Sequence, residues 1–211
     1  MMTGFYKLVK VYAPGTHAEN GMEMPCGTRP GAWWTVPDDG DERELAGVYW
    51  PDAAMPISAD PALRLVEVEV DEAAESDRPQ EPGRSFFNRQ RILREIPWSE
   101  APLVVAATVL LTRRRLLPKE ERETLAGRIV DSRDAFWVLQ GDLGLSAEAQ
   151  TTLASKLSSR DAADLMDRDI PFGLWDAVIR QITASCDARR VLDKRVAYLT
   201  AGQIRYLAAL L

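Results

Sequence analysis

The chain reads as an α+β protein in two parts, a small β-rich N-terminal domain over residues 1–98 and an all-α interaction domain of stacked helical hairpins over residues 99–211. Two observations predict this. Short runs rich in β-branched and aromatic residues fall before Pro97, and helical apolar spacing takes over after it. Within the second part a tetrapeptide recurs roughly every 27 residues, as Ser132-Arg133-Asp134-Ala135, Ser159-Arg160-Asp161-Ala162 and Ser185-Cys186-Asp187-Ala188.

Phe5 to Ala13 alternates and predicts a strand that Pro14-Gly15 ends. The Gly- and Pro-rich stretch that follows argues against long elements. Trp33 to Val36 and Gly47 to Trp50 predict two short strands, with an acidic turn from Asp38 to Glu42 after the first. Leu63 to Val70 is the clearest strand, with Val66, Val68 and Val70 facing the core and Glu67 and Glu69 facing water. Asp71 to Gly83 is polar and acidic, an exposed loop. Arg89 to Ile96 predicts a strand beside Leu63 to Val70, because its arginines would oppose Glu67 and Glu69; a short helix is the alternative.

Pro97-Trp98-Ser99-Glu100 marks the boundary, and Ser99 is placed to cap a helix. Helices are expected over 100–116, 118–130, 132–141, 146–158, 160–168, 171–184 and 186–211, the last broken near Leu199-Thr200. In each recurring tetrapeptide the serine reads as an N-cap, with the aspartate in the positive field of the helix start. The apolar pairs Val138-Leu139, Leu165-Met166 and Val191-Leu192 recur with it. A second pattern lies between, from Leu117-Pro118, Leu145-Ser146, Ile170-Pro171 and Leu199-Thr200. Together they favour a degenerate helical-hairpin repeat over an unrelated bundle, and either way the tetrapeptides are structural. Trp137 and Trp175 are expected in the core.

Composition bounds the function. At 46% hydrophobic and 27% charged, the chain should fold without help. Cys26 and Cys186 lie in different halves, which argues for a cytoplasmic protein without a disulfide framework. No stretch has the length of a membrane helix; the longest apolar run, Pro102 to Leu111, reads as a buried helix. Residues 1–98 hold 10 Lys plus Arg against 17 Asp plus Glu, a net of −7, whereas residues 99–211 hold 16 against 15. Nucleic-acid binding is therefore not expected of the first half.

Candidate chemistry is sparse. His17 is the single histidine, in a loop, and has no partners from which to argue catalysis. Neither a metal-ligand spacing nor a P-loop is present, so no catalytic residue, metal or cofactor is assigned. Trp33, Trp34, Tyr49 and Trp50, with His17 and Cys26, are candidates for a pocket or interaction surface, or else for the core of a small β-rich domain. Glu67 and Glu69 are the alternative acids, as a Glu-x-Glu on a strand. Arg113-Arg114-Arg115 with Arg122 and Arg128 could form a basic face, but the interleaved Glu120, Glu121 and Glu123 favour a salt-bridged helix surface.

Two resemblances follow from these residues. Leu145-Ser146 to Leu157, Ser159 to Met166 and Leu174 to Ile179 resemble the short two-helix repeats of bacterial and phage proteins, and the death-domain-like modules that recruit effectors in bacterial conflict systems. Tyr6, Gly47-Val48-Tyr49-Trp50 and Leu65-Val66-Glu67-Val68, in that order, resemble the ADP-ribosyltransferase-like fold, although its serine-bearing strand motif is missing. The first implies a non-enzymatic adaptor that binds a protein partner through its helical half. The second implies a nucleotide-binding or transferase module in the N-terminal half. An acidic mimic of nucleic acid is a third expectation, from the charge of that half.

Overall fold

The computed structural model describes residues 2–12, 15–36, 46–74, 81–141 and 143–211. In it β1 (Met2–Lys10) alternates as its sequence requires: Phe5, Lys7 and Val9 are buried, while Tyr6 and Leu8 are half-buried. It is followed by β2 (Trp34–Thr35), β3 (Gly47–Tyr49), β4 (Leu63–Val70), β5 (Arg84–Phe86) and β6 (Arg89–Ile96). The expected acidic turn at Asp38 to Glu42 and the Pro14 strand stop lie outside the described residues, as do residues 75–80 of the expected loop. That loop begins with a single 3₁₀ turn, Glu72–Ala74.

All pairings are antiparallel, in the order β2-β6-β4-β1-β3-β5. Only Phe87 and Asn88 separate β5 from β6, so 84–96 runs almost unbroken from a pairing with β3 to pairings with β4 and β2. The sheet therefore curls back on itself. Its inner face gathers Phe5, Val9, Val48, Val66, Val68, Val70, Phe87 and Ile92 in one core with Ala18 and Met22. Trp34 packs against this core and also against a smaller group of Val36, Ala46 and Phe86. Two irregularities bend the sheet. Between Met2 and Phe5 the register of β1 shifts, and Gly4 there takes φ +90, which a side chain disfavours. Leu93 is the extra residue where β6 slips against Glu67 and Val68.

The strand β6 forms where expected, with Arg94 opposite Glu67 and Arg91 opposite Glu69. The second of these acids does not face water. Glu69 is 7% exposed, because Leu65 and Glu69 on the outer side of β4 are covered as well as the inner valines.

The chain divides into the units Met1–Val105 and Ala106–Leu211. A helix from residue 100 does not form. Ser99 lies inside a 3₁₀ turn, Trp98–Glu100, and Pro102 precedes a second, Leu103–Val105. A proline disfavours the helical region for the residue before it, and Ala101 is extended there, with φ −51 and ψ 151. The second unit has α1 (Ala106–Arg113), α2 (Lys119–Arg128), α3 (Ser132–Gln140), α4 (Ala147–Ala154), α5 (Ser159–Met166), α6 (Trp175–Ile179), α7 (Ser185–Arg195) and α8 (Ala201–Ala208). A 3₁₀ turn, Phe172–Leu174, leads into α6, and another, Val196–Tyr198, makes the expected break before α8. Helix α1 packs on α2 and α3, α3 on α4 and α5, α5 on α6 and α7, and α7 on α8. Helices α2, α4, α6 and α8 pack in sequence on one another. The buried faces are the recurring apolar positions, Val138 and Leu139, Leu165 and Met166, and Val191.

Candidate functional site

The outer face of the sheet carries a cross-strand row of five residues. Arg84 lies opposite Tyr49, Tyr49 opposite Tyr6, Tyr6 opposite Glu67, and Glu67 opposite Arg94. The Arg84 guanidinium lies 5.3 Å from the Tyr49 ring centroid, and Arg94 Nε donates to Glu67 at 2.7 Å. That hydrogen bond is the largest influence on Arg94 and raises its pKa further above its usual value. Beside this row, Arg91 joins two residues the sequence singled out: it donates to Glu69 at 2.6 Å and stacks 4.8 Å from the centroid of Trp33. Arg89 stacks on Trp33 as well, at 5.1 Å, and pairs with Asp71 at 3.2 Å.

The four aromatics do not form one cluster by strand adjacency. Trp33 and Trp34 belong with β2, Tyr49 and Trp50 with β3, and β6, β4 and β1 lie between. Trp34 faces the core, whereas Trp50 packs on Phe5 at 4.6 Å and donates its indole N–H to Ser85 at 3.0 Å. His17 is exposed; its Nδ1 lies 3.0 Å from the Thr16 hydroxyl. A cleft of about 510 Å³ in the sheet unit is lined by Tyr49, with Lys7, Lys10, Asn20, Ser58 and Arg84, and by none of the other predicted residues. Lys10 there is held by Asp60 at 3.3 Å, and the hydrogen bond between them raises the lysine pKa.

Inside the sheet lies a polar group that the sequence reading missed. Lys7 is 4% exposed and donates to Gln90 Oε1 at 3.0 Å and to the Gly47 carbonyl at 3.2 Å. Gln90, fully buried, donates in turn to the carbonyls of Ala46 and Phe87, both at 2.7 Å. One side-chain chain of hydrogen bonds thus ties β1, β3 and β6 together at the place where the sheet closes. The signal in the sequence was a lysine in phase with Phe5 and Val9.

In the helical unit the recurring serines are not caps. The N-caps are Asp131, Ser158 and Ala184, one residue earlier in each case. Two of the serines instead reach the next helix of their own row. Ser132 Oγ donates to Asp161 at 2.5 Å and accepts from the Ser158 N–H at 2.7 Å. Ser159 Oγ donates to Asp187 at 2.7 Å and accepts from the N–H groups of Thr183 and Ala184, both at 3.1 Å. The same contact is therefore made twice, α3 to α5 and α5 to α7. Charges repeat it: Arg133 pairs with Asp161 at 3.1 Å, Arg190 with Asp164 at 2.8 Å and Lys194 with Asp167 at 2.6 Å. In the other row, the Ser146 N–H donates to Glu123 at 3.2 Å and Gln203 to Asp176 at 2.7 Å. Lys156 caps the end of α2, donating to the carbonyls of Gly127 and Ile129, and its burial lowers its pKa.

Trp175 is buried as expected, but Trp137 is 44% exposed. Ala135, Phe136, Val138 and Leu139 make the buried stripe of α3, and Trp137 falls outside it. Arg133 stacks 5.0 Å from its ring centroid. No group of three or more His, Cys, Asp or Glu side chains among the described residues could hold a metal ion. No helix among them is long and apolar enough to cross a membrane. Comparison of the chain with protein-family models, with curated proteins and with solved structures finds no match.

Asp161 is open to test by pH. Burial raises its pKa, but hydrogen bonds from Ser132, Ser158 and Arg133, with the charge of Arg133, outweigh that and leave it below the usual carboxylate value. A carboxylate with a depressed folded pKa contributes stability that is full above the unfolded pKa and lost as pH falls through the folded one. Asp161→Asn is therefore expected to lower the melting temperature at pH 7. The gap to the parent protein should close as pH falls below the ordinary aspartate range. A gap independent of pH would show that the ionised carboxylate is not what matters.

Proposed function

We propose that the helical unit is a protein-binding scaffold, a short stack of four degenerate helical hairpins, α1–α2, α3–α4, α5–α6 and α7–α8, whose exposed helix faces meet a protein partner. The supporting observation is the serine-to-aspartate contact repeated from α3 to α5 and from α5 to α7. It holds consecutive first helices in a constant relation, and stacked repeats of this kind present extended surfaces. The row of α3, α5 and α7 offers Trp137 and Arg133 at one end, then the paired charges of Asp164 with Arg190 and Asp167 with Lys194. An exposed tryptophan beside an arginine is the composition that binding interfaces favour.

The test uses the full chain carrying a photocrosslinking residue in place of Trp137, and a second form carrying it at the exposed Thr35 of the sheet. Discrete protein adducts from position 137, absent from position 35, are expected. Adducts from neither position, or from the sheet alone, would refute the scaffold reading.

The nucleotide-binding reading of the sheet unit has one supporting observation, the meeting of Trp33 and Glu69 on Arg91. Both candidate acids are held by arginines there, which suits a structural role better than acid–base work.

A further inference from the structure

We propose that the helical unit holds a site for a phosphate group, where the end of α1, the first turns of α2 and the turn after α3 meet. This is independent of the partner-binding reading. Arg114, Arg115 and Arg122 line an open pocket of about 380 Å³ there with Gly141, Leu143 and Gly144. The interleaved glutamates do not neutralise it. Glu123 is turned to Lys119 at 3.9 Å and to the Ser146 N–H, and no carboxylate of the described residues pairs with any of the three arginines. This corrects the expectation of a salt-bridged surface at these positions.

Two of the arginines are held in place without being saturated. A guanidinium has five N–H donors and no acceptor. Arg114 donates to the Gly141 carbonyl at 2.9 Å, and Arg122 to the Arg114 carbonyl at 3.3 Å. Each is thus anchored by a backbone oxygen near a helix end, its remaining donors left over. Arg122 Nε is buried with no hydrogen-bond partner, a state that costs stability unless something accepts from it. The far wall is glycine: a Cβ at Gly144 would stand 3.9 Å from Arg122 Nη2, so no side chain there occupies the space before the guanidinium. Three cationic forks around one small hollow match the oxygens and the double charge of a phosphate group, which guanidinium recognises in bidentate fashion.

The phosphate could belong to a small molecule or to a nucleic-acid backbone, and the experiment separates the two. The full chain is titrated at constant ionic strength with inorganic phosphate, pyrophosphate and a single-stranded oligodeoxythymidine, with sodium chloride as the blank. Phosphate and pyrophosphate should raise the melting temperature where chloride does not. Arg115→Gln, at an exposed side chain, and Arg122→Gln should each weaken pyrophosphate binding at least tenfold. Arg168→Gln, at an exposed arginine away from the pocket, should leave it unchanged. Oligonucleotide binding that the same two variants abolish assigns the phosphate to nucleic acid; pyrophosphate binding without it assigns a small molecule. No response to any probe, or an undiminished response in the Arg115→Gln and Arg122→Gln proteins, overturns the site.

Discussion

Gln90→Ala is expected to destabilise the sheet unit by about 3 kcal/mol or more. Gln90 is fully buried and makes three hydrogen bonds, accepting from Lys7 and donating to the carbonyls of Ala46 and Phe87. Removing it leaves two buried carbonyls without that donor and takes an acceptor from a buried ammonium, and such losses cost far more than a hydrogen bond contributes net. The damage should be local. Hydrogen–deuterium exchange in a urea series should show residues 84–96 and β3 opening earlier, since Gln90 joins the two ends of the closing strand. A double-mutant cycle with Lys7→Met should give a coupling of at least about 1 kcal/mol, because the two side chains share one network. Additive losses would show that Lys7 and Gln90 act separately.

The second large effect concerns the tetrapeptides. Ser159→Ala is expected to cost about 2 kcal/mol, since its hydroxyl makes three hydrogen bonds, two of them accepted from backbone N–H groups at the start of α7. Ser132→Ala should cost a similar amount, through Asp161 and the Ser158 N–H. Ser185→Ala should change stability by no more than about 0.5 kcal/mol, as Ser185 is exposed and makes no side-chain hydrogen bond among the described residues. Thermal melts of the three single variants measure this directly. Three equal losses would restore the capping interpretation, under which every copy of the motif does the same work.

The same motif shows how far a sequence can be read. Its recurrence marked the register of the helical half, and α2 to α5 and α7 begin within a residue of the expected positions because capping residues and apolar spacing act locally, whereas the helices expected over 100–116 and 171–184 are cut to Ala106–Arg113 and Trp175–Ile179. The carboxylate partners of Ser132 and Ser159 lie 29 and 28 residues away on another helix, and spacing along the chain carries no mark of them. Trp137 was misplaced for a related reason: the stripe of α3 admits it or excludes it by a small rotation, and packing against α5 decided which.

In the sheet unit, local pattern sufficed wherever one residue type dictates its surroundings. The alternation of Leu63 to Val70 and the opposed charges of β4 and β6 predicted a pairing that the structure has in that register. The aromatic residues were conspicuous too, but their grouping was not. Trp33 and Trp34 belong with β2, which pairs with β6, while Tyr49 and Trp50 belong with β3, and Trp34 and Trp50 meet the same core only because the sheet closes, to which residue type is blind.

The sequence by itself determined the mixture of strands and helices, the spans of most elements, and the charges that pair β4 with β6, because each rests on periodicity or on chemistry between strands of obvious register. Only the tertiary structure decided that the sheet closes through the bent run 84–96, that a lysine could be buried within it, and that three arginines would be left around one pocket. Each of these depends on groups far apart in the chain meeting in space, where hydrogen bonds and charges are satisfied or left open by neighbours that no local pattern names.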